Sequence, residues 1–154
     1  MADSEASTEK AELEAWYKSL LDQVVKEMIR LKAVTGVALQ ASPSWMVPNE
    51  ILIAKVWSME NEADFVWTIS VDKLIADYIA GSLAATPRDV ARHFSLKWQL
   101  DADRLQNLDP VRAPVVDAAA GKQVYAKKLI HYAEMLYDLA ERDDAWQDLP
   151  PLAD

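Results

Sequence analysis

Apolar residues recur at spacings of three and four from Leu13 onward: Trp16, Tyr17, Leu20, Leu21, Val24, Met28 and Leu31. At about 100° per residue they share one broad face, with Lys18, Asp22, Lys26 and Arg30 opposite, which predicts a long amphipathic helix. Ser7 or Thr8 is expected to cap its start and Gly36 to end it. Residues 41–48, which include Pro43 and Pro48, read as a loop. Two apolar runs follow, Ile51–Trp57 and Phe65–Val71, with Met59–Asp64 as a polar turn between them. The second run alternates, with Phe65, Trp67, Ile69 and Val71 to one side and Val66, Thr68 and Ser70 to the other. That pattern predicts a strand with one buried face. The two runs form an expected antiparallel hairpin, and Val37–Gln40 is a candidate third strand. A lone hairpin is marginal in water, so helices are expected to cover it. Asp72–Gly81 reads as a loop with one helical turn at Leu74–Ile79.

Thr86-Pro87-Arg88-Asp89 is the sharpest local signal in the chain. Thr is a favoured cap, Pro is preorganised for the first helical position, and Asp89 falls in the first turn. The helix it starts is expected to run to about Asn107. A last helix is expected from Pro114–Ala118 to near Arg142, with Tyr125, Leu129, Tyr132, Leu136 and Leu139 as its inner seam. The fold class is therefore α+β: three long helices packed with a small antiparallel sheet of two or three strands, as a hairpin or meander. A single domain is expected over 1–154, with acidic, flexible ends at 1–7 and 143–154 apart from Trp146.

Composition narrows the function more than it identifies it. The chain is 51% hydrophobic with 3 Gly and no Cys, which excludes disulfide scaffolds, zinc fingers and thiol catalysis. Its net charge of −9 sits at the two ends. Residues 1–14 and 138–154 carry the whole acidic excess, and the body between them is neutral, so no basic face for nucleic acid is expected. The acidic tails are expected to keep the protein soluble. No signal peptide or membrane span is read in the sequence, and a cytoplasmic location is the default.

Candidate chemistry is sparse. His131 and Glu134 are spaced as two metal ligands on a helix, but the wheel turns both to the outer face, so no metal site is assigned. The segment Asp72–His93 is richer in polar groups, Arg88 and Arg92 among them. Asp77, Tyr78, Asp89 and His93, beside the aromatic Trp67, form a candidate small-molecule or catalytic site, its ligand unspecified, with Asp89 and His93 four apart on a helix. Asp89 as a helix-capping acid beside a surface His is the favoured reading of that pair. No phosphate loop, nucleophile elbow, calcium loop or zinc motif is present, and no cofactor is expected.

The Thr86–Asn107 helix has a second apolar stripe. Its inner face holds Val90, Phe94, Trp98 and Leu105, and Leu96 and Leu100 lie away from it beside His93. Two explanations fit: burial between the sheet and another helix, which the sequence favours, or an exposed stripe that docks a partner, often a second copy. His93, Leu96 and Leu100 are therefore candidate interface residues. The leading functional expectation is a non-enzymatic protein-interaction domain that self-associates as a homodimer. The alternative is a small-molecule-binding protein or enzyme using the Asp72–His93 segment.

Trp67-Thr68-Ile69-Ser70, Asp77-Tyr78-Ile79, Pro87-Arg88-Asp89 and His93-Phe94-Ser95 through Trp98-Gln99 form a spine over about a third of the chain. This spine resembles a small uncharacterised bacterial family, a domain of unknown function. Members carry a Gly-Asp-x-Pro turn after the strand, where this chain has Val71-Asp72-Lys73-Leu74. The resemblance implies the order of elements and assigns no activity, so no residue gains a role from it.

Overall fold

A computed structural model of the chain describes residues 2–36, 38–71, 75–106 and 116–146. It is α+β, with three α-helices among the described residues and a four-stranded antiparallel sheet. The described residues up to Pro87 form one compact unit and those from Arg88 a second.

The first unit opens with α1, Ala2–Arg30. It begins before the expected Ser7/Thr8 cap, since Ala2 and Ala6 are strong helix formers. The predicted faces hold: Val24 and Met28 are buried, and Lys18, Asp22, Lys26 and Arg30 are exposed. The terminator does not. The helix ends six residues before Gly36, in a Schellman closure where Ala33 N–H donates to Met28 O (3.0 Å) and Lys32 N–H to Ile29 O (3.1 Å). Lys32 takes the left-handed position that closure needs, at φ 56°. Leu31, expected on the apolar face, lies past the helix and is exposed.

The sheet is a meander in the order β1-β2-β3-β4: β1 Leu39–Val47, β2 Ile51–Ser58, β3 Asn61–Val71 and β4 Ile75–Ala80. The two- or three-stranded expectation is thus short by at least one strand. Three segments expected as loop or turn are extended. Residues 41–47 belong to β1, which starts at Leu39 in the region of the candidate third strand. Pro43 is accommodated there because β1 is an edge strand and its register shifts between Pro43 and Trp45. The second proline is the true turn residue. Val47-Pro48-Asn49-Glu50 closes with Glu50 N–H on Val47 O (2.9 Å) and Asn49 at φ 65°, the pattern of a type II turn. The expected turn Met59–Asp64 shrinks to residues 59–60, and its remainder is the exposed start of β3. Ile75–Ala80, expected as loop with a helical turn, pairs with β3 from Val66↔Ala80 to Val71↔Ile75. Asp72, Lys73 and Leu74 lie outside the described residues, as does Val37.

Both faces of the two central strands are buried, whereas alternation predicts one. Ile51 to Ala54 and Val66 to Val71 are all buried. One face carries Val56, Val66 and Tyr78 and packs on Val24 and Met28 of α1. It also holds Thr68 and Ser70, the residues whose polarity signals a wet face. Thr68 is reconciled to burial by donating its hydroxyl to Ala54 O (3.2 Å). Ser70 is 3% exposed, and its Oγ has no hydrogen-bond partner among the described residues. Gly36 meets the end of β2 so closely that a Cβ there would lie 2.2 Å from Ser58 Oγ.

The second unit holds α2, Pro87–Gln106, from its second residue on, and α3, Val116–Glu141. The start of α2 matches the Thr-Pro-Arg-Asp signal, with Pro87 the first helical residue and Asp89 in the first turn. Val90, Phe94 and Trp98 are fully buried, as expected. The inner seam of α3 is rotated from the expected one. Ala126, Leu129, Ala133, Leu136 and Ala140 are buried, whereas Tyr125 is exposed and Tyr132 and Leu139 are half-buried. Close packing selects the small alanines over the larger tyrosines. Beyond α3 the chain makes a short 3-10 turn, Asp143–Ala145, and Trp146 donates its indole N–H to Leu139 O (2.9 Å). Of the segment expected to be loose, Asp143–Ala145 form this turn, and residues 147–154 lie outside the described residues.

Candidate functional site

The outer face of α2 is built by helical spacing alone. Leu96 and Leu100 are one turn apart on the side opposite Phe94 and Trp98, and they are 61% and 51% exposed. The favoured expectation of burial is overturned: the stripe faces solvent. His93 beside it is half-buried, its ring edge-on to Phe94 at 5.9 Å between centroids. Charged residues rim the stripe, with Arg92 on Asp89 (3.3 Å) and Lys97 on Asp101 (2.9 Å), while Asp103 and Arg104 are exposed at its far end.

Within the first unit, the polar residues proposed from sequence are divided between the two faces of the sheet. Successive residues of a strand point to opposite faces, so Tyr78 goes with the α1 cluster while Asp77 goes to the face of Trp67 and Ile79. The Asp77 carboxylate accepts the backbone N–H of Tyr78 (2.8 Å) on β4, an edge strand. Trp67 is a core residue. Its indole donates to Ala84 O (2.9 Å), and its ring meets Phe65 edge-on, with Lys55 Nζ 4.8 Å from both rings. Asp89 sits in the first turn of α2, where a carboxylate suits the helix dipole. Two clefts lie in the first unit. One, of about 240 Å³, is lined by Ala33, Val34, Thr35, Ser58, Glu60, Asn61 and Asp64. The other is lined by Glu9, Lys10, Glu12 and Leu13 of α1 and by Pro48 and Asn49. Neither contains Trp67, Asp77 or Tyr78.

His131 and Glu134 are both exposed on α3, as the wheel predicts. Among the described residues no three His, Asp or Glu side chains are grouped to hold a metal ion. No described helix is long and apolar enough to cross a membrane.

Residues 10–146 match the family described as domain of unknown function (DUF4826). The chain belongs to the DUF4826 family. No curated protein and no solved structure matches it. Two features of this DUF4826 domain are not legible in the sequence. The exposure of Leu96 and Leu100 depends on which elements cover α2, which periodicity does not encode. The ring cage around Lys55 depends on strand register, since Lys55 is paired with Trp67 across β2 and β3.

Proposed function

We propose that this DUF4826 domain is a non-catalytic interaction module that self-associates through the outer face of α2. The exposure of Leu96 and Leu100, one turn apart on a helix whose opposite face is fully buried, carries this reading. Burying one leucine side chain from water is worth about 1.5–3 kcal/mol. A symmetric contact counts the pair twice, because the same patch serves both copies. The rim of charged residues suits a surface that is solvated when free and excludes water from its centre when occupied.

Native mass spectrometry of the untagged protein, with light scattering at tens of micromolar, tests this. A dimer is expected, and Leu96→Asp with Leu100→Asp is expected to give a folded monomer. A double variant that keeps the dimer mass would remove the stripe from the interface. A monomeric wild type carrying a stoichiometric small molecule, lost on denaturation, would replace this reading with a ligand-binding one.

A further inference from the structure

The charges around the leucine pair select one way for two copies to meet. Taking the level of residue 98 as the midpoint of the stripe, Arg92 lies about 9 Å before it and Asp103 about 8 Å after it, at 1.5 Å per residue. Both sit on the same flank, about 60° and 40° from the stripe axis at 100° per residue, and both are exposed. His93 and Arg104 occupy the other flank. A two-fold axis crossing the stripe at its midpoint, perpendicular to the helix, reverses height and preserves flank. We infer that two α2 helices pair antiparallel about this axis, with Arg92 of each copy on the partner's Asp103. The four leucines then meet at the centre between two identical Arg–Asp pairs, and His93 lies beside the partner's Arg104. The helix dipoles oppose, which is the favourable alignment. A parallel pair would preserve height and exchange flanks. Arg92 and the partner's Asp103 would then be about 16 Å apart along the axis, and the complementarity would be lost.

In the free chain Arg92 is held by Asp89 (3.3 Å), one turn before it on the same helix. That pair is exposed and worth little, so little is lost on the Arg92 side when it is exchanged for a contact next to buried leucines. Arg92 and Asp103 are too far apart to touch within one helix, so any coupling between them must act between copies.

This inference rests on the self-association proposed above, and a charge swap separates the two. Arg92→Asp and Asp103→Arg are each expected to weaken the dimer at least about tenfold by sedimentation equilibrium, as like charges then face each other. The double variant Arg92→Asp/Asp103→Arg is expected to return to within about threefold of wild type. Circular dichroism checks that each variant stays folded. Single variants that dimerise like wild type, or a double variant no better than the singles, would overturn the antiparallel pairing and leave self-association standing. A wild type that stays monomeric across the concentration range would overturn both.

Discussion

Lys32 shows how a single position can work against local preference. The Schellman closure of α1 requires a left-handed residue, and glycine alone adopts that conformation without a Cβ penalty. The chain has a glycine four residues later, at Gly36, but there it serves a backbone at φ 149° pressed against Ser58. Lys32→Gly is therefore expected to stabilise the fold by about 0.5–1 kcal/mol, the relief at φ being partly offset by glycine's freedom in the unfolded chain. Chemical denaturation checks it: the midpoint is expected to rise with an unchanged slope. The helix end departs from the expected one for the same reason. A terminating glycine is legible from sequence, whereas a lysine forced left-handed by the packing around Met28 and Ala33 is not.

Among the elements, α3 depends on α2 for its C-terminal cap. The last turn of α3 has no basic residue of its own. Arg88, in the first turn of α2, supplies one: its Nε donates to Ala140 O (2.7 Å) and its Nη2 to Asp143 (2.8 Å). The first bond is partly buried and charge-assisted, and it meets a carbonyl at the negative end of the helix dipole. The second is exposed on the carboxylate side and contributes less. Arg88→Ala is expected to cost about 1.5–3 kcal/mol and to speed amide exchange in the last turn of α3. Arg88→Lys is expected to recover only part, since an ammonium lacks the planar fork. Denaturant melts of both variants, with hydrogen exchange over residues 136–141, check this. The sequence signal at Thr86–Asp89 locates the helix start correctly, yet by sequence Arg88 is only one of several polar groups near a candidate site. Its actual partners lie some fifty residues away, beyond the reach of any local pattern.

For the whole molecule, charge placement sets the response to pH. Among the described residues, Glu27 is held below the ordinary 4.5 first by its hydrogen bonds from Arg30, and Asp144 is held below 3.8 first by those from Arg142. A carboxylate with a lowered folded value stabilises fully above its unfolded value and loses that contribution as pH falls through the folded one. Arg30 and Arg142 are raised further above the already high guanidinium range, first by their hydrogen bonds to Glu27 and Asp144, so their contributions are fully present across the whole acidic and neutral range. All four groups are exposed, so each contribution is small. The melting temperature is accordingly expected to be nearly flat between about pH 7 and 5 and to fall only below about pH 4.5. Calorimetry across that range checks it, and a steep fall in the upper part of the range would point to a different titrating group.

Local physics determined much of this protein. The amphipathic periods of α1 and α2, the Thr-Pro-Arg-Asp start and the β-branched runs of β2 and β3 depend on near neighbours in the chain, so each is legible in the amino-acid order. The outward turn of His131 and Glu134 follows from the wheel alone. Tertiary structure decided the rest. Pro43 entered a strand because an edge with a register shift tolerates it, and β4 formed because β3 offered it a partner. Thr68 and Ser70 became buried because α1 lies on their face, and alanines displaced tyrosines in the α3 seam because close packing rewards small residues. The same dependence governs the candidate interface. Leu96 and Leu100 are visible as a stripe, but whether a stripe is core or surface depends on what else covers the helix, a non-local fact that only the folded chain supplies.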